Sequence, residues 1–203
     1  MKENEVRQPI QKRSIEKKRR IIEAGFKLFC ENGYYKTNTV EIAKEAGVST
    51  GIVYNYFTDK KAILLESILL FREMLIQPLY EFMAISELTI DLKTLVESLL
   101  ETIIAGHNIA KDAHEEMMAM SYSDADVAKL LHDFEMQTTE KVAGIMNGLG
   151  FSTPHMLESV HISICLMEHY CHEILFQRRE NMNYDVLKKI VVEQVVYLFA
   201  ASP

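Results

Sequence analysis

Between Thr39 and Thr58 the chain reads TVEIAKEAGVSTGIVYNYFT, and few folds accommodate that stretch. Ile42, Ala43 and Ala46 recur at helical spacing and give a short helix one apolar face, with Thr39 suited to cap its start. Gly47 follows where a helix stop favours a residue tolerant of positive φ, and Val48 places one apolar side chain under the turn. Ser49 is a good cap for a second helix that carries Val53 and Phe57 inward. That leaves Thr50, Ile52, Tyr54, Asn55 and Tyr56 for other faces. Two short helices crossing closely at small residues predict a helix-turn-helix, whose second helix enters the DNA major groove while the first crosses the backbone. An αα-hairpin inside a larger helical protein also uses glycine in its turn.

Charge separates these alternatives. The net charge of −7 argues against nucleic acid until it is divided along the chain. Met1–Lys61 carries 13 Lys/Arg against 8 Asp/Glu, and the remainder 9 against 21, balances of +5 and −12. The basic part is the part that holds the helix-turn-helix, as neutralising phosphates requires. With 48% apolar and 25% charged residues the chain has the make-up of a soluble globular protein. It has no uncharged apolar run near the roughly 18 residues a membrane span needs, and no leader pattern. A cytoplasmic location and no membrane partner are therefore expected. Cys30, Cys165 and Cys171 are an odd number without framework spacing, which predicts free thiols.

Flanking segments add Phe29-Cys30-Glu31-Asn32-Gly33-Tyr34, Thr37-Asn38-Thr39 and Tyr54-Asn55-Tyr56-Phe57-Thr58-Asp59-Lys60-Lys61. From about Ile15 to Leu65 the chain resembles the DNA-binding domain of the TetR family of bacterial transcription regulators. Asn38 stands where that family often has a hydroxyl residue, and Ile52 where it often has a small polar one. An aliphatic Ile52 would meet a thymine methyl rather than a hydrogen bond. The resemblance implies that Thr39, Ser49, Tyr54, Tyr56 and Lys60 clamp the DNA backbone while Thr50, Ile52 and Asn55 face base edges. Tyr54 and Tyr56 have packing against the first helix as their alternative role. It further implies a homodimer on a double-stranded, two-fold related DNA operator, repression, and release by a small-molecule effector. No enzyme template is present: there is no phosphate loop, no HExxH and no recognisable nucleophile setting.

Taken in order, residues 1–13 are polar and aperiodic and are expected to form a disordered arm. Residues 14–61 are the helix-turn-helix domain, and 62–203 a helical ligand-binding and dimerisation domain, so the fold class is all-α. The first helix is predicted over Ile15–Asn32, stopped by Gly33. Lys12, Arg13, Lys17, Lys18, Arg19 and Arg20 form a basic cluster for phosphates or a minor groove, with a solvated charge run as the alternative. Thr37, Asn38 and Thr39, with free N–H groups at a helix start, make one phosphate site, and Lys60 makes a second. The fourth helix is expected over Lys60–Leu75, before Pro78. Further helices are expected near Ile90–Asn108, Ala113–Met120, Asp124–Asn147, Pro154–Arg179 and Tyr184–Phe199.

Leu157, Val160, Ile164, Met167, Cys171 and Ile174 alternate three- and four-residue steps, a narrow seam that suits helix pairing. With Leu187, Val191, Val195 and Leu198 of the last helix it is expected to form a dimer interface. His161, Cys165, His169 and His172 share another face of the penultimate helix. A metal site there, polar lining of an effector pocket, and ordinary packing or solvated surface all remain open. No resident metal or cofactor is expected, and a metal-responsive regulator or a helical protein-interaction adaptor are the alternative functions. Phe71, Met74, Leu99, Ile103, Met117, Met118, Met120, Tyr122 and Phe134, with Cys165 and His169, are the candidate lining of the effector pocket.

Overall fold

A computed structural model describes residues 8–85, 91–109 and 111–200. Among them the regular elements are helices: α1 Gln8–Asn32, α2 Thr39–Glu45, α3 Thr50–Tyr54, α4 Lys60–Ile85, α5 Leu92–Ile109, α6 Lys111–Ser121, α7 Ala125–Gly148, α8 Met156–Phe176 and α9 Tyr184–Phe199. The all-α fold with an amino-terminal helix-turn-helix is as the periodicity predicts. The chain divides into two compact units, one of Met1–Glu73 with Asp112–Ala119, the other of Met74–Lys111 with Met120–Pro203.

In the first unit α1 starts at Gln8, so residues 8–13 are helical rather than a disordered arm. Pro9 lies in the first turn, where a missing N–H costs nothing. Met1–Arg7 lie outside the described residues. Ile21, Ala24, Gly25 and Phe29 are buried on α1, and Ile63, Leu64, Ser67, Ile68 and Phe71 on α4. The two helices approach so closely that a Cβ on Gly25 would lie 2.6 Å from Ile63 Cγ2. Ser67 donates its hydroxyl to the Ile63 and Ile22 carbonyls, and Phe26 stacks on Phe71 with centroids 5.3 Å apart. α4 runs through Pro78 to Ile85 instead of ending at Leu75. One proline removes one helical N–H and crowds one carbonyl, which can kink a helix without ending it.

The second unit is built on a cluster in which Leu95, Val96, Leu99 and Leu100 of α5 meet α7, α8 and α9. Asp124 and Asn183 cap α7 and α9 by accepting N–H groups of their first turns, and Asp91 does the same for Lys93 and Thr94 at the start of α5. The expected dimer seam lies in this core. Val160, Met167, Cys171, Val191 and Val195 are buried within the single chain, and Ile164, Ile174, Leu187 and Leu198 are partly buried against the same cluster. Of that set only Leu157 is exposed. The narrow period of α8 is the signature of close helix pairing, and within the chain α8 packs against α5, α7 and α9. The outward apolar residues of α8 and α9 are Leu157, Ile162, Val186, Ile190 and Tyr197.

Candidate nucleic-acid interface

α2 begins with a capping box, and the cap is Asn38 rather than Thr39. The Asn38 carboxamide oxygen accepts the Val40 and Glu41 N–H groups at 3.0 Å, while the Asn38 N–H donates to Glu41 Oε2. Gly47, at φ 63°, then turns the chain. α3 is anchored by Val53 and Phe57, 0% and 4% exposed. Two tyrosine hydroxyls brace it further: Tyr54 Oη lies 3.0 Å from Thr39 Oγ1, and Tyr56 Oη 3.1 Å from Ser14 Oγ. The outward surface consists of Ser49, Tyr54 and Asn55, with Thr50, Ile52 and Tyr56 half-buried at its edge. Ser49 precedes α3 in extended backbone, yet its side chain makes no capping bond, so its hydroxyl is not spent on the helix.

Three of the expected phosphate contacts are corrected. Thr37 is 2% exposed and donates its hydroxyl to the Leu28 and Gly33 carbonyls, so it holds the loop in place. Asn38 occupies two of the N–H groups that would have made an anion site, which leaves little of that site. Lys60 places Nζ 2.6 Å from the Tyr34 carbonyl, 2.9 Å from the Thr37 carbonyl and 4.1 Å from the Tyr34 ring centroid. Burial pushes its ammonium below the usual lysine range, against the raising effect of Glu116 and Glu41. Glu116 of α6 also accepts the Tyr34 N–H on both carboxylate oxygens at 2.8 Å. The sequence gives no sign of that contact, because the two residues are 82 apart.

The basic cluster divides in the same way. Lys18 pairs with Glu66 at 2.6 Å and Arg19 with Glu23 at 2.8 Å. Arg20 donates to the Ala46 and Gly47 carbonyls and so closes the turn that glycine opens. Lys12, Arg13 and Lys17 are exposed and have no partner among the described residues. Those three remain available for phosphates.

Residues 21–67, which contain all of α2 and α3, match the sequence profile of the bacterial regulatory proteins of the tetR family. The amino-terminal region thus carries a DNA-binding domain of the TetR family. Its helix-turn-helix region is 55% identical over 49 residues to the HTH-type transcriptional regulator HbdR of Aromatoleum sp. (strain CIB), covering 24% of this chain and 21% of that protein. A longer match, 30% identical over 129 residues, is to the fatty acid metabolism regulator protein of Bacillus subtilis (strain 168), covering 63% of this chain and 59% of the relative. The chain thus spans about a fifth and about three fifths of the lengths of these relatives. A crystal structure from Mesorhizobium loti MAFF303099, assigned to the same family, superposes with a TM-score of 0.73 at 21% identity over 92% of this chain and 96% of that one, a likeness of fold.

The residues expected to line an effector pocket are divided between the two compact units and differ widely in exposure. Met74 and Tyr122 are 55% and 89% exposed, and His169 is exposed on α8. Tyr122 stands in the turn after α6, where no helix covers it. Phe71 and Met117 are buried residues of the first unit, while Leu99 and Ile103 belong to the core of the second. Met120 is buried, Met118, Phe134 and Cys165 partly so. The His/Cys face of α8 also splits. His172 packs edge-on against His107 of α5, with ring centroids 5.8 Å apart, and lies 4.0 Å from Glu168. His107 is buried, with Nδ1 2.9 Å from the Ile103 carbonyl and Nε2 3.0 Å from Glu168 Oε2. Burial pushes its pKa down, but Cys171 and the Glu168 carboxylate outweigh that and raise it to about 10. His161 and Cys165 turn instead toward Glu135 of α7.

Proposed function

We propose that this TetR-family chain is a ligand-responsive repressor that binds a two-fold related DNA operator as a homodimer and leaves it when a small-molecule effector occupies the helical second unit. The observation that carries the DNA-binding part is the surface of α3 and its C-cap: Asn55 is exposed, with Thr50 and Ile52 half-buried beside it, the segment is braced by the Tyr54 and Tyr56 hydroxyls, and the same unit holds Lys12, Arg13 and Lys17, exposed and without a partner among the described residues. Asn55 has the amide geometry to read adenine, and Ile52 the shape to meet a thymine methyl. Two copies would present their α3 helices about 34–36 Å apart, one helical turn of DNA. Leu157, Ile162, Val186, Ile190 and Tyr197 are the apolar surface available for pairing those copies, in place of the buried seam. An effector acts by binding better to the conformation that fits DNA less well, and it lowers affinity by that difference alone. The test is binding of the purified protein to DNA from upstream of its own gene and to a scrambled duplex across a salt series. Tight binding to the first with a steep salt slope is expected, and equal weak binding to both would count against a sequence-reading regulator.

A further inference from the structure

We infer that Glu135 of α7 with His161 and Cys165 of α8 forms a binding site for one divalent transition-metal ion of the zinc type. His161 and Cys165 are four residues apart on one helix, so their side chains rise from successive turns of the same face. Packing of α7 on α8 supplies a third donor of a different kind. Cys165 Sγ lies 3.7 Å from Glu135 Oε1 and 3.8 Å from His161 Nε2, and one ligand atom from each residue falls within 4.8 Å of the others. Tetrahedral bonds of about 2.0–2.3 Å place donors roughly 3.4–3.6 Å apart, so the three side chains stand close to the separations an ion would impose. Of the two His161 nitrogens one would bind the ion: Nδ1 is buried, lies 3.7 Å from Glu135 Oε1 and has no hydrogen-bond partner among the described residues, so it is the donor that packing leaves unserved, while Nε2 faces Cys165.

The donor set chooses the ion. One sulfur, one imidazole nitrogen and one carboxylate oxygen suit borderline zinc or cobalt and not calcium or magnesium, which take oxygen ligands. Burial and the Glu135 carboxylate push the Cys165 thiol up, so without metal it keeps its proton. Binding then forms the sulfur–metal bond and releases that proton to solvent, while the ion neutralises the carboxylate. His161 and Glu135 side chains are 43% and 39% exposed, which leaves an entry path and a fourth position for water. The ion would tie α7 to α8 inside the second unit.

The proposal stands apart from the DNA-binding reading, and its test uses no DNA. The full-length, metal-stripped, reduced protein is titrated with Co²⁺ and then with Zn²⁺. A single cobalt per chain with a thiolate-to-cobalt charge-transfer band, bleached by zinc, is expected. Cys165→Ser should abolish the band, and Glu135→Gln and His161→Ala should each weaken binding by at least about 100-fold, beyond the loss typical of supporting residues. His169→Ala and His172→Ala should leave it unchanged, with far-ultraviolet circular dichroism confirming that each variant is helical. Absence of the band in the unmodified protein would overturn the assignment whatever the variants do. So would a band that survives in Cys165→Ser, since Cys30 or Cys171 would then be its source.

Discussion

Lys60 illustrates how a residue type can be read correctly and its role still differ. A lysine just after the cap Asp59 in a basic segment points to phosphate, but its ammonium is spent on the Tyr34 and Thr37 carbonyls. Lys60→Ala should therefore cost about 2 kcal/mol of folding stability, the scale of charge-assisted hydrogen bonds, seen as a lower urea midpoint. Asn55→Ala, on an exposed residue without such bonds, should leave that midpoint unchanged and relax discrimination at one base pair by roughly 1–3 kcal/mol in operator-variant titrations. Equal midpoints for the two variants would contradict this division. Spacing could place Thr50, Ile52 and Asn55 on a surface because a helix fixes which faces its residues take. It could not show that Thr37 turns inward or that Arg20 reaches the Ala46 carbonyl, because loop paths and long side chains have no period.

At the level of helices, the pattern determined more. α9 runs from Tyr184 to Phe199 as its periodicity predicts, and α2, α3, α5 and α7 fall within a few residues of expectation. What periodicity left open was the partner of each apolar face: the α8 seam is real, but its mate is its own chain. The α1–α4 crossing gives a sharper test. Gly25→Ala would gain about 1 kcal/mol of helix propensity, but its Cβ would press 2.6 Å from Ile63 Cγ2. Overpacking of that kind costs about 1–3 kcal/mol, so net destabilisation by about 1 kcal/mol is expected, and Gly25→Ala with Ile63→Leu, which lacks the branched Cγ2, should recover part of it. A gain in thermal midpoint from Gly25→Ala alone would show that the helices separate freely.

For the whole molecule, two measurements follow from these contacts. If Ile190 and Tyr197 pair copies of the chain, Ile190→Glu should shift the sedimentation coefficient to that of a monomer while helicity is retained. Stability should also fall toward alkaline pH. His107 has a folded pKa raised to about 10 from 6.5, so its contribution is complete below 6.5 and is lost as pH rises through about 10. The thermal midpoint should decline more steeply across that window in the unmodified protein than in His107→Gln, and parallel slopes would remove the His107–Glu168 pair as the cause. Glu116 has a consequence of another kind. Because Asp112–Ala119 belongs to the same compact unit as Met1–Glu73, the DNA-facing unit is not one continuous stretch of gene. A fragment cut after Glu73 would lose the carboxylate that accepts the Tyr34 N–H, so no single cut yields the part intact. The unit cannot be moved whole into another protein without carrying much of its neighbour along.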